Sequence, residues 1–338
     1  MTHSTAGLPV LPAATGVTFR RWSGLDDVAG MAAANAAHRE HIGLLEPIDL
    51  EAMRHRYTHL VNSDPAVDCI LVERDGVTRG YARVEWHDLV EGVRIFDLTT
   101  VVEPSTWGMG ASDVLIQWGE DRAREIAPTL PGDRPAFFAT YVFGEDVELA
   151  AVLTRLGYEA VRWDAEMLRP DLEDLPPVEV PAGYVLRTPE PDELDAVHAM
   201  LVTGFADDWG SYEADEHLIE EWVEDPRFRS DLVLVAWAGD APAAGISSVL
   251  EPMPDGSIRA VLEGLATHPD HRRRGLARAC MARILELVRA AGASSAQLGV
   301  DTDNPNRALP LYENFGFTVA TMSTTYRKPF YRPEEPAP

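Results

Sequence analysis

The sequence predicts two α/β domains of one fold arranged in tandem, and three observations carry that reading. At 338 residues the chain is too long for one ordinary core and suits two domains of about 150 residues each. Residues 169–183, RPDLEDLPPVEVPAG, are acidic, rich in proline and without periodicity, which is the composition of a linker. The stretches on either side run through the same order of elements, which points to an internal duplication. The expected parts are a flexible tail at 1–16, a first domain at 17–170, a linker at 171–182, a second domain at 183–330 and a flexible tail at 331–338.

Each half opens with a short apolar strand, Val17–Arg20 or Tyr184–Arg187, followed by a helix, Leu25–Arg39 or Glu190–Val202. A hairpin-like pair of strands comes next. In the first half it is Cys69–Glu73 with Arg79–Trp86, around an Asp75-Gly76 turn; in the second it is Leu232–Ala238 with Ala243–Leu250, around Gly239-Asp240. Glycine beside aspartate is a strong hairpin signal. A third strand then ends in a proline and leads through a glycine into an amphipathic helix. The two versions read FDLTTVVEPSTWGMGASDVLIQWGEDRAREIA and VLEGLATHPDHRRRGLARACMARILELVRAAG. In the latter, Leu276, Cys280, Ile284, Leu287 and Val288 fall on one stripe. Each half closes with a strand, a helix and a glycine-aromatic pair, Gly157-Tyr158 or Gly316-Phe317.

Composition bounds the function. Hydrophobic residues at 46% and charged residues at 25% are those of a globular protein. There are 55 acidic against 29 basic residues, a formal charge of −26. A surface so acidic repels nucleic acid and anionic lipid, so neither is expected as a partner. Cys69 and Cys280 sit in different halves, which argues against a disulfide framework. The N-terminal residues lack the basic and apolar regions of a signal peptide, and no run of 18 apolar residues exists, so a soluble cytoplasmic protein is expected. The ten histidines have no metal-ligand spacing, and no metal is expected.

The most specific segment is Leu265–Ala277, LATHPDHRRRGLA, which follows an apolar strand and opens a helix. A helix N-terminus leaves unpaired N–H groups and carries partial positive charge. Gly275 lets the backbone approach a ligand closely, and Arg272, Arg273 and Arg274 form a cationic island in an acidic half. Together they make an anion cradle suited to phosphate. Arg272-x-x-Gly275-x-Ala277 resembles the Gln/Arg-x-x-Gly-x-Gly/Ala signature of the GNAT N-acetyltransferases, and DTDNPNRALPLYENFGF resembles that family's closing motif. The resemblance covers roughly Gly183 to Phe330 well and Val17 to Pro170 in outline. Among tandem members the chain is similar to mycothiol synthase-type proteins.

The resemblance implies a fold and roles. The fold is two tandem GNAT-like domains, each a mixed, mostly antiparallel sheet flanked by helices. Acetyl-CoA is the cosubstrate, with its pyrophosphate on the loop Arg272, Arg273, Arg274, Gly275, Leu276 and Ala277. The strand residues Leu265, Ala266 and Thr267 would hold the pantetheine arm, and the Leu265 and Thr267 amides would polarise the thioester carbonyl. Asn304 matches the asparagine that contacts the CoA arm, or serves as a helix N-cap, or both. Tyr312 matches the tyrosine that protonates the departing thiolate; the plain alternative is a core tyrosine.

The base is more open. Glu263 lies on the strand leading to the cradle, and a carboxylate there needs a reason. Related enzymes place a glutamate two residues earlier, where this chain has Val261; two residues along a strand is the same face. A solvent-facing Glu263, or a water chain, are the alternatives. Cys280 reads as a buried small hydrophobe, which disfavours a covalent acyl-cysteine. Asp207–Asp225 carries nine acids with Trp209, Tyr212 and Trp222 and no lysine or arginine. It is either a solvated acidic helix or the border of a site for a cationic amine, with Asp207, Asp208 and Trp209 as contacts. The first half keeps Gly110 but has no arginines around it, and Leu153 stands where Tyr312 would be. The expected activity is direct acetyl transfer to a small-molecule primary amine in the second domain. The rivals are a non-catalytic acyl-CoA-binding regulator and a mycothiol synthase-type enzyme.

Overall fold

The computed structural model describes residues 7–10, 12, 15–44, 47–211, 213, 217–303 and 308–331. The chain forms two compact units, unit 1 of Met1–Arg162 with Ser323–Pro338 and unit 2 of Trp163–Met322. Unit 1 begins with β1 (Val17–Arg21), α1 (Asp27–His41), α2 (Leu50–Thr58), α3 (Pro65–Asp68), β2 (Cys69–Arg74), β3 (Val77–Asp88) and β4 (Arg94–Val102). It continues with α4 (Ala111–Ile126), β5 (Ala136–Phe143), α5 (Val147–Arg155) and the start of β6 (Glu159–Arg169). Unit 2 takes the rest of β6, then β7 (Val185–Arg187), α6 (Leu194–Phe205), α7 (His217–Glu224), β8 (Val233–Ala238), β9 (Ala241–Pro252) and β10 (Ile258–Thr267). It ends with α8 (Leu276–Ala290), β11 (Ser295–Asp301), α9 (Ala308–Glu313) and the start of β12 (Thr318–Pro329).

The sheet of unit 1 runs β1-β2-β3-β4-β5-β12 and that of unit 2 runs β6-β11-β10-β9-β8-β7. Each is antiparallel apart from one parallel pair, β4 with β5 and β10 with β11. Alternation along the strands sets the two faces. In unit 2, Leu234, Ala236, Ile246, Ala260 and Leu262 pack with Leu276, Cys280 and Ile284 of α8. The intervening Val233, Val235 and Trp237 pack with Val197 of α6. The expected stripe on α8 is the buried one, Leu287 being half-buried at its edge. Unit 1 repeats the plan: Ile70, Val72, Val84, Phe96 and Leu98 meet Leu115 and Ile116 of α4, while Cys69, Leu71 and Tyr81 meet Val28 and Met31 of α1.

The units differ from the expected domains in two respects. The segment 171–182 lies inside unit 2, and the two closing strands are exchanged. From Ser323 onward β12 pairs with β5, and Phe330 stacks on Phe96 with ring centres 5.1 Å apart. β6 pairs with β11 through Asp164–Arg169. Element order is identical with or without this exchange, so a repeat in sequence does not reveal it. The expected tails lie mostly outside the described residues. Among the described residues, no helix is long and apolar enough to cross a membrane.

Candidate active site

The site begins with a gap between parallel strands. β10 and β11 pair only over Arg259–Val261 with Ser295–Gln297. Beyond that, β10 runs on to Thr267 and β11 to Asp301 without pairing to each other. On its other edge β10 follows β9 with a register irregularity between Glu263 and Ala266; such a bulge bends the strand and re-aims its groups. An extended strand offers alternate N–H and C=O groups to each edge, and those facing the gap need partners. They border a cleft of about 600 Å³. Its walls include Leu262, Leu265, Ala266 and Thr267 of β10, Leu298, Gly299 and Val300 of β11, and Leu276, Ala277, Arg278 and Met281 of α8. Gly204 and Phe205 of α6, Asp208 just after it, and Tyr312 of α9 complete it.

The cradle sits at one end. Arg273 and Gly275 both have left-handed backbones, φ 62° and 85°, and α8 starts at Leu276 without a side-chain cap. The first N–H groups of α8 are thus left for a ligand, in a turn shaped to hold an anion. The three arginines are not equivalent. Arg272 donates to the Gly204 carbonyl at 3.0 Å and the Thr267 carbonyl at 3.2 Å, and pairs with Asp207 at 2.5 Å. Arg274 donates to the Tyr184 hydroxyl and the Asp270 carbonyl, each at 2.9 Å. These two brace the turn, and Arg274 is not part of the cleft wall. Arg273 and Arg278 are exposed and have no partner among the described residues.

Unit 1 offers an internal comparison. Its corresponding turn also has two left-handed residues, Gly108 at φ 71° and Gly110 at 86°. There the Glu148 carboxyl accepts a hydrogen bond from Ser112 Oγ at 2.6 Å and lies near enough to the Gly108 backbone for it to act on the carboxyl. Burial, with Asp146 and Asp113 adding to it, pushes the Glu148 carboxyl above its usual range, and Ser112 and the Gly108 backbone oppose the shift. The same backbone shape is therefore already occupied, by a carboxyl that the chain itself supplies.

Tyr312 is only 7% exposed, and its hydroxyl has no hydrogen-bond partner among the described residues. Burial, aided by the Asp208 carboxylate, pushes its phenol up to about 12. It is protonated at neutral pH and can donate into the cleft. Asp208 is fixed by its own N–H, which donates to the Phe205 carbonyl at 2.8 Å, and by Ser211 Oγ, which donates to the Asp208 carbonyl at 2.8 Å.

Other expected site residues fall elsewhere. Glu263 is absent from the cleft wall. Burial raises its carboxyl, Arg227 counters that, and Asp225 and Glu251 reinforce it, so its surroundings are an acid–arginine cluster. Asp207 is tied to Arg272, and Trp209 is half-buried and outside the cleft wall. Asn304, and Tyr212 and Ala214–Glu216 of the acidic run, lie outside the described residues.

Besides Arg278 of α8, two groups of residues escaped the sequence reading. One is the β11 wall, which has no local signal. The other is Gly204 with Phe205: a Cβ at Gly204 would stand 2.8 Å from that of Ala266 and 3.3 Å from the Thr267 nitrogen. A glycine near the end of an apolar helix was the available clue. Burial pushes the Cys69 and Cys280 thiols up to about 12, so neither is a nucleophile at neutral pH. In unit 1, donor atoms of Glu85, His87 and Asp97 lie within 4.8 Å of one another. Arg83 pairs with both oxygens of Glu85, Arg327 and Arg56 add positive charge nearby, and burial together with Glu85 pushes the Asp97 carboxyl up to about 7.

Residues 194–317 match the acetyltransferase (GNAT) family. The mycothiol acetyltransferase of Kineococcus radiotolerans is 30% identical over 271 residues, 78% of this chain and 82% of that protein. A GCN5-related N-acetyltransferase from Sphaerobacter thermophilus superposes with a TM-score of 0.73 at 22% identity, over 96% of this chain and 98% of that one. A tandem GNAT protein from the clavulanic acid biosynthesis pathway does so with a TM-score of 0.69 at 16% identity, over 94% and 100%. The chain belongs to the GNAT family and is an acetyltransferase.

Proposed function

We propose that this enzyme transfers an acetyl group from acetyl-CoA to a primary amine by direct attack, in the cleft of unit 2. The observation that carries the reading is that the uncapped start of α8, the separated edge of β10 and the Tyr312 phenol all border one cleft. The diphosphate lies on the turn Arg273–Gly275 and the N-terminus of α8, with Arg273 and Arg278 as its cations. The pantetheine arm runs along Leu265, Ala266 and Thr267, completing the strand edge that β11 leaves open. Backbone N–H groups there stabilise the oxyanion. Tyr312 gives its proton to the departing thiolate. The acceptor enters past Phe205 and Asp208, and a carboxylate at that wall favours a cationic amine.

The acceptor of a mycothiol acetyltransferase is the second reading. It is favoured by the relative of that name, which matches across both halves; Val261, where related enzymes carry a glutamate, stands against it. The test is thiol release from acetyl-CoA with 1,5-diaminopentane, glycinamide and glutamate as acceptors. Tyr312→Phe is expected to lower kcat by roughly 10²-fold or more while leaving acetyl-CoA affinity unchanged. Unaltered turnover in Tyr312→Phe removes the phenol from the mechanism.

A further inference from the structure

A carboxylate that receives the amine proton has to reach the amine. The sequence offers Glu263, and the structure offers a different group. Glu263 is not part of the cleft wall, and it lies instead among Arg227, Asp225 and Glu251, of which Arg227 is paired with the two acids. Asp208 is part of the wall, on the stretch that also carries Gly204 and Phe205. It is close enough to Tyr312 for its charge to act on the phenol. The backbone bonds to the Phe205 carbonyl and from Ser211 Oγ fix the Asp208 main chain, and the contact of Gly204 with Ala266 and Thr267 sets the end of α6 against the bulge of β10. The carboxylate is thereby held on a short turn beside the strand that takes the thioester.

We infer that Asp208, and not Glu263, is the catalytic carboxylate that binds the acceptor ammonium and takes its first proton. This deepens the reading above and rests on it.

The step balances as follows. The Asp208 carboxylate accepts one proton from R–NH3+, leaving a neutral amine. The nitrogen lone pair forms the C–N bond at the thioester carbonyl, whose π electrons move onto oxygen. Collapse re-forms the C=O bond and breaks C–S, with the electron pair leaving on sulfur. The Tyr312 hydroxyl protonates that sulfur, and the second proton lost by nitrogen restores the phenol. The Asp208 proton passes to solvent, so one ammonium and one thioester give one amide, one thiol and one free proton. The same negative charge serves both ends of the reaction: it attracts the ammonium and, by opposing ionisation of Tyr312, keeps the acid protonated.

Asp208→Asn and Glu263→Gln on the full chain separate the candidates. The inference predicts that Asp208→Asn lowers kcat/KM with the preferred amine of the panel by about 10²- to 10⁴-fold at pH 7. It also predicts partial recovery as pH rises toward the amine's own pKa, where free base no longer needs a proton acceptor. Glu263→Gln should stay within a few-fold of wild type. Asp208→Asn with unchanged kcat/KM, or the large pH-recoverable loss appearing in Glu263→Gln instead, overturns it. If wild type turns over no amine, the broader proposal fails, and phenol titration by ultraviolet difference still decides this one. The tyrosine transition that Tyr312→Phe removes should move to lower pH in Asp208→Asn; an unmoved transition refutes the placement of Asp208 at the acid.

Discussion

Arg272→Ala takes away the side chain that joins the end of α6, the end of β10 and the cradle turn. Three bonds go with it, to the Gly204 carbonyl at 3.0 Å, the Thr267 carbonyl at 3.2 Å and Asp207 at 2.5 Å. Charge-assisted bonds to backbone contribute about 1.5–3 kcal/mol each when well made, and the Thr267 bond is long. The Asp207 side chain is 60% exposed, so that pair adds no more than about 1 kcal/mol. The expected loss is about 2–4 kcal/mol, which for a unit of this size lowers Tm by roughly 5–15 °C. Arg273→Ala breaks no bond among the described residues and should leave stability within about 0.5 kcal/mol. It should instead weaken acetyl-CoA binding by roughly 10- to 150-fold, the scale of one charge-assisted contact. Calorimetric melting together with titration of acetyl-CoA reads both effects. An Arg272→Ala protein as stable as wild type but unable to bind acetyl-CoA would refute the division of labour among the arginines.

Three further outcomes follow from the geometry. Gly275→Val, at φ 85°, should abolish acetyl-CoA binding while circular dichroism stays native, because the change is confined to an exposed turn. Acetyl-CoA should bind with a stoichiometry of one per chain, since Glu148 occupies the matching turn of unit 1; two equivalents in a calorimetric titration would contradict this. Cys280→Ala should retain turnover, and native protein should react slowly with thiol reagents, because both cysteines are buried; rapid modification with loss of activity would reopen a cysteine mechanism.

What was legible in the sequence was what short-range chemistry fixes. The stripe on α8 follows from helical period, the turn at Gly275 from a glycine that precedes the helix, and Tyr312 from its place in a motif. Residues that depend on distant partners were not legible. Three consecutive arginines read as one cationic island, yet Arg272 finds the Gly204 carbonyl and Arg274 finds Tyr184. Glu263 and Asp208 are both acids near an expected site, and only strand pairing and the packing of α6 place one at the cleft and the other away from it. The separation of β10 from β11, which opens the cleft, is set by a parallel pairing that ends at Val261. The exchange of β6 and β12 leaves the order of elements unchanged, so no periodicity records it.

The central claim is that acetyl-CoA binds across β10 and the start of α8 in unit 2. Hydrogen exchange with and without acetyl-CoA tests it residue by residue, because a ligand that pairs with backbone N–H groups slows their exchange. The account predicts new protection at 264–278 and at 298–301, with none at 104–113 of unit 1. Protection at 104–113, or unchanged exchange at 264–278 with acetyl-CoA at saturation, would contradict it.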